Sequence, residues 1–290
     1  MFNFFADIFG YILNWIYLLV KNYGLAIIIF SVLIKLVMLP LSIKQQKTLK
    51  KNEKLQKEMK ILQIKHKGNP ERLNQEMMDL YKRENINPFS GCFSIIIQMI
   101  LIVSMFILVK SPITYMKKVD ESVLNTQIES IKKENGENSV SVQYPEMSII
   151  KYLQEENQKE NEMYINMDFL GLELSKVPQE NFDDIKVYII PVLYVLSSVI
   201  SIKITSNTTN KKVEDNHENN KLANKDDIKE MDQAEMTAQM NKTMSWMMPI
   251  LSVSISLVAP LGLALYWLVN NIIMIGERLI LNKIFSKEEN

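Results

Sequence analysis

The chain has 290 residues, with 33 basic and 33 acidic side chains and a hydrophobic fraction of 47%. A net charge of zero speaks against a globally basic nucleic-acid binder, so no recognition of nucleic acid sequence is expected. The single cysteine, Cys92, excludes an intramolecular disulfide and a thiolate cluster, and the two histidines, His66 and His217, lie in polar stretches. No metal centre is expected.

Apolar blocks alternate with stretches rich in Lys, Glu, Asn and Gln, the pattern of a polytopic membrane protein with aqueous loops. Residues 1–20 place Asn3, Asp7 and Asn14 on one helical face and Phe5, Ile8, Ile12, Trp15 and Leu19 on another. This fits an amphipathic helix lying in the interface, with a full crossing as the alternative. It lacks the basic start and A-x-A site of a cleaved signal peptide, and a cysteine for a lipid anchor. Five spans of roughly 20 residues or fewer follow, at 25–43, 93–109, 187–202, 244–258 and 261–276. The last two divide one long apolar block at Ala259-Pro260-Leu261-Gly262, read as a tight turn.

Residues 44–92 form the first aqueous segment. Leu55, Met59 and Leu62 recur at helical spacing, as do Leu73, Met77 and Leu80 beyond a break, where Asn69 suits an N-cap and Pro70 the first helical position. The expected structure is an antiparallel helical hairpin. It is rich in Lys and Arg, whereas residues 110–186 are rich in carboxylates, so the positive-inside rule puts the hairpin in the cytoplasm and 110–186 outside. The N-terminus is then outside, and the tail at 277–290 is cytoplasmic. Residues 203–243 form a second cytoplasmic loop, Asn-rich and expected to be partly disordered.

Lys35 stands inside the first span, where a charge costs about 2.5–3.5 kcal/mol on insertion scales. No Asp or Glu lies in 25–43, 93–109, 187–202 or 244–275 to pair with it. Three readings compete: a structural pair, a lysine left neutral because burial disfavours the charged form, and a charged lysine facing a water-filled recess. The missing carboxylate favours the last. Gln98, Ser104, Tyr194, Ser197, Ser198, Ser201, Asn270 and Asn271 could line the same recess, against the plainer reading that they hydrogen-bond neighbouring helices. A cation in a wet recess can hold the acidic flank of a polypeptide whose apolar segment enters lipid. No G-x-x-x-x-G-K-[ST] motif is present and no cofactor is expected.

Three stretches, "NYGLAIIIFSVLIKLVMLPLSIKQQKTLKK", "NPERLNQEMMDLYKRENINPFSGCFSIIIQMI" and "MNKTMSWMMPILSVSISLVAPLGLALYWLVNN", resemble YidC-type membrane protein insertases, which are related to the mitochondrial and chloroplast ones. The resemblance covers about 11–110 and 165–282, including "NMDFLGLELSKVP". It implies an all-α fold: a five-span core, a cytoplasmic hairpin and a hydrophilic groove closed toward the outside. Lys35 takes the place of the family's usual groove arginine but lacks its planar fork. Gln98, Ser104, Ser197, Ser201, Asn270 and Asn271 are the other groove candidates, and Tyr194, Val195, Ile200, Leu263, Tyr266 and Trp267 the surface along which clients slide. Phe93-Ser94 and Ile100 stand where the family carries "GCLP…QMP", so the second span lacks both prolines and should be less kinked. The implied activity is insertion and chaperoning of membrane proteins rather than enzymatic catalysis. Its expected partners are newly made membrane proteins, the bilayer, the Sec translocon and the ribosome, although "FSKEEN" is not the long basic tail of ribosome-contacting members. The implied location is the plasma membrane of a Gram-positive-like bacterium. The rival classes are a small anion or solute transporter using Lys35 as its binding charge, and an assembly scaffold.

Overall fold

The computed structural model describes residues 1–66, 68–84, 90–210 and 253–288. They fall into two compact units, the first of Met1–Leu36, Gln98–Ser201 and Pro249–Gly276, the second of Val37–Ile97, Ile202–Met248 and Glu277–Asn290. Most of the expected loop at 203–243 and the start of the 244–258 span lie outside the described residues.

In the first unit, helix α1 (Phe2–Val20) turns back into helix α2 (Tyr23–Lys65) through two residues. Lys21 adopts a left-handed conformation and donates its N–H to Tyr17 O, while Asn22 Oδ1 accepts from Leu25 N at the head of α2. The face of α1 that docks is Ala6, Phe9, Gly10, Leu13, Ile16 and Tyr17, and Phe4, Tyr11, Trp15 and Leu19 stay exposed. The sequence stripe of Phe5, Ile8, Ile12, Trp15 and Leu19 therefore does not coincide with the packed one. α1 is apolar around most of its circumference, so small residues decide which face comes close. At Gly10 an added Cβ would sit 2.2 Å from Tyr115 O, so only glycine admits the π-helical turn Ile113–Lys117 at this distance. Phe9 meets Phe30 of α2 edge-on, with ring centroids 5.6 Å apart.

Helix α4 (Ser90–Lys110) leads into that turn and then into an acidic segment that is folded throughout its core. It contains helix α5 (Glu121–Asn135), helix α6 (Pro145–Glu155) and a two-stranded hairpin, β1 (Asp168–Phe169) and β2 (Leu172–Glu173), paired antiparallel. Leu124, Ile131, Ile149, Ile150, Leu153, Ile165 and Met167 are buried in the same core cluster as α1 and α2. Backbone groups stitch this cap to the helix ends. Asn166 donates N–H to Tyr17 Oη (2.9 Å) and accepts from Tyr23 N (3.0 Å). Lys176 O and Leu174 O accept from Leu261 N and Gly262 N (2.9 and 3.0 Å), two donors that the start of a helix leaves without internal partners. Glu146 is buried on α6 and clamps the π-helical turn: Oε2 accepts from Ile113 N and Thr114 N, and Oε1 from Thr114 Oγ1. Helix α7 (Ile189–Asn210) follows a turn at Ile185–Tyr188. Residues 253–258 are helical (α8), and α9 runs over Leu261–Glu288.

In the second unit the lower part of α2 meets helix α3 (Pro70–Arg83). Asn69 caps α3 by accepting from Arg72 N, with Pro70 at its first turn. Leu55 and Leu80 are buried, Tyr81 Oη contacts Met59 Sδ at 3.6 Å, and His66 lies 3.0 Å from Glu76. Arg83 pairs with Glu58 and Glu84. Helix α2 continues unbroken through Pro40 to Lys65, and α9 runs on past residue 276. It carries Glu277 and Arg278 within one helix.

Candidate functional site

The residues proposed from sequence to line a groove all fall in the first unit, on α2, α4, α7 and α9. Lys35 is half-buried on α2 and engages a neighbouring group. Gln98 is exposed on α4. Ser104, two turns further along α4, is fully buried, and its hydroxyl donates to Phe2 O at 3.2 Å, tying α4 to the start of α1. Of the readings open to it, helix-to-helix bonding is the one its geometry meets.

A polar contact joins α7 and α9. Asn271 is buried, and its Nδ2 donates to Ser197 Oγ (2.9 Å) and Ser198 Oγ (3.1 Å). Ser197 in turn donates to Tyr194 O one turn back (2.8 Å). Asn270, the neighbouring amide, donates along its own helix to Tyr266 O (2.9 Å) and stays half-buried. Ser201 is buried on the face of α7 that carries Ser197, one turn on. The chain thus has a polar seam where two apolar helices meet, and in lipid such a seam both fastens the helices and supplies hydrogen-bonding groups at depth.

The residues proposed as a sliding surface divide by burial. Tyr194, Leu263 and Tyr266 are core residues, whereas Val195 and Trp267 are half-buried and Ile200 is 52% exposed. The Tyr194 and Trp267 rings lie 6.0 Å apart, tilted by 40°, which joins the inner and outer members across α7 and α9. Tyr17 and Tyr144 are core residues that the sequence reading did not single out. Glu146 was missed as well, although its position on α6 in register with Ile149, Ile150 and Leu153 marks it as facing inward.

Four described helices are long and apolar enough to cross a membrane: Phe2–Val20, Tyr23–Lys47, Ile185–Ile204 and Leu261–Ile284. Ile96–Lys110 is a shorter apolar helix. The first of these leaves the full crossing of α1 open beside the interfacial reading, and the last takes Glu277 into a candidate span. Together with a helical cap and one small hairpin, these helices define an all-α polytopic membrane protein.

Its sequence places it more narrowly. The chain belongs to the 60Kd inner membrane protein family, whose sequence model matches residues 15–288. It is 48% identical over 102 residues to the membrane protein insertase YidC of Chlorobaculum tepidum, an alignment covering 35% of this chain and 17% of that protein. It is 42% identical over 106 residues to the protein of the same name from Francisella tularensis subsp. novicida, covering 37% and 19%. The aligned region spans less than a fifth of the length of either relative.

Proposed function

We propose that this protein inserts and chaperones other membrane proteins. The observation that carries the reading is the family match over 15–288, together with the insertase names of the relatives aligned to part of it. A half-buried lysine on an apolar helix supports it, as does the polar seam between α7 and α9. In this mechanism Lys35, with Gln98, Ser197, Ser201, Asn270 and Asn271, forms a hydrophilic groove in the membrane. The lysine holds the acidic flank of a client by charge attraction, which is stronger there than in bulk water. The client's apolar segment then passes into lipid along Val195, Ile200 and Trp267, a surface backed by Tyr194, Leu263 and Tyr266. Burial of that segment supplies the driving force, about 25 cal/mol per Å² of apolar surface removed from water, so no nucleotide is consumed. The basic hairpin of α2 and α3 faces the cytoplasm and receives chains from the ribosome or the Sec translocon, the N-terminus is outside, and the tail is inside.

The test is insertion of a small single-span client with an acidic tail into liposomes holding the purified protein. Lys35→Arg retains insertion and Lys35→Glu abolishes it, because a carboxylate repels the tail. Photocrosslinkers at Val195 and Trp267 capture the client in transit. Unimpaired insertion by Lys35→Glu would remove the lysine from the mechanism. Absence of both insertion and capture, with anion flux in their place, would replace the reading by a transporter.

A further inference from the structure

The turn of the small hairpin is chemically out of place in water. Its two central residues, Leu170 and Gly171, both have positive φ, at 54° and 77°, the pattern of a type I′ turn. Glycine adopts this conformation freely, and the usual residue at the first position is Asn, Asp or Gly, because a left-handed backbone crowds an ordinary side chain. This chain puts leucine there and leaves it 87% exposed. A water-facing turn gains nothing from that choice and loses both solvation and ease of backbone conformation.

The surroundings of the turn suggest what covers it. Asn22 Nδ2, at the head of α2, donates to Asp168 O (2.6 Å). The Phe169 ring lies so close to Gly24 that a Cβ there would come within 2.5 Å of it. The hairpin is thereby fixed at the end of the candidate span Tyr23–Lys47, whose exposed side continues below it with Leu25, Ile29, Val32, Leu33 and Leu36. β2 also packs against the turn Ile185–Tyr188. There Ile185, 81% exposed, opens the candidate span Ile185–Ile204, and Phe182 just before it is 69% exposed. The hairpin thus sits at the end of one candidate span and adjoins the start of another.

We propose that Leu170, with Phe182 and Ile185, is a membrane-dipping anchor that seats the folded 111–188 cap on the leaflet at this end of the spans. The occupant is lipid at the boundary between headgroups and acyl chains, where an apolar tip on a rigid two-residue turn inserts without unsatisfied backbone, since the hairpin pairs internally. The anchor complements the backbone stitching of the cap. It stands apart from the activity proposed above, since it needs only that α2 and α7 cross the bilayer.

Single-cysteine proteins on a Cys92→Ser background, carrying an environment-sensitive NBD label in phosphatidylcholine–phosphatidylglycerol liposomes, test this. Val142→Cys, at a fully exposed site in the connection between α5 and α6, gives the aqueous reference. At Leu170→Cys the emission is expected to shift to the blue, nitroxide lipids labelled near the headgroup should quench it several-fold more than at residue 142, and aqueous iodide several-fold less. Ile185→Cys reads the second contact independently if the variant at 170 misfolds. Iodide quenching at both sites equal to that at 142 overturns the proposal. So does protection from both quenchers, which would mean that a protein surface covers the tip.

Discussion

Replacing Gly10 with alanine sets two effects of opposite sign against each other, and the structure decides between them. Within a helix the exchange favours folding by about 0.5–1 kcal/mol, because glycine loses more backbone freedom on ordering. At Gly10, however, the new Cβ would lie 2.2 Å from the carbonyl oxygen of Tyr115 and 2.6 Å from its carbon. Carbon and carbonyl oxygen ordinarily approach to about 3.3–3.6 Å, so α1 and the π-helical turn must part by about 1 Å. Neither side can relieve the clash by rotating a side chain, because the opposing atoms are backbone. Strain of this kind typically costs 1–3 kcal/mol, and parting also loosens the Phe9–Phe30 contact and the Asp7–Lys118 ion pair. The expected net effect is destabilisation by about 1–2 kcal/mol, read as a lower melting temperature in detergent micelles and faster hydrogen exchange at residues 113–118. A melting temperature equal to or above that of the parent would refute the reasoning, since that is the sign helix propensity alone gives.

Three further outcomes are expected. Glu146→Ala leaves the N–H groups of Ile113 and Thr114 without their acceptor and should destabilise by about 2–4 kcal/mol, whereas Glu146→Gln, which keeps an accepting oxygen, should cost much less in the same unfolding assay. Burial holds the Glu146 carboxyl above the usual carboxylate range, so the folded state keeps this proton to higher pH than the unfolded chain. Its contribution is complete below about pH 4 and is lost as pH rises through the raised value, a decline that should be missing from the pH–stability profile of Glu146→Gln. Asn271→Ala removes both donations from α9 to α7 and should cost about 1 kcal/mol. A double-mutant cycle with Ser197→Ala should return a coupling energy, and strict additivity would deny the bond. Asn69→Ala should cost about 1 kcal/mol and speed exchange at the Arg72 amide, with little effect beyond α3.

The spans were legible because their signal is local. The apolar stretches of α2, α7 and α9 are long enough that composition alone identifies them, and Asn69-Pro70 announces a helix start by residue type. In sequence the acidic segment reads only as a charged outer stretch, because what holds it is not local. Tyr144 Oη donates to Val258 O across 114 residues, and Asn166 meets Tyr17 across 149. Such partners leave no periodic trace. Candidate site residues were legible as types, a lysine and several amides and hydroxyls among apolar neighbours, but their pairings were not. The sequence could not say that Ser104 is spent on Phe2 O, or that Asn271 reaches both Ser197 and Ser198 while Asn270 turns back along its own helix. Nor could composition tell that Leu263 and Tyr266 back the proposed surface from within the core.

The backbone stitching of the cap has a consequence for biogenesis. Ribosomal synthesis delivers α1 and α2 first, yet Tyr17 and Tyr23 find Asn166 only after more than a hundred further residues have emerged. The carbonyls of Leu174 and Lys176 are engaged later still in synthesis, by the amides of Gly262 and Leu261. Closure of this end of the molecule is therefore a late event in its own maturation, and a chain halted before residue 261 would hold its early helices with the final clasp undone.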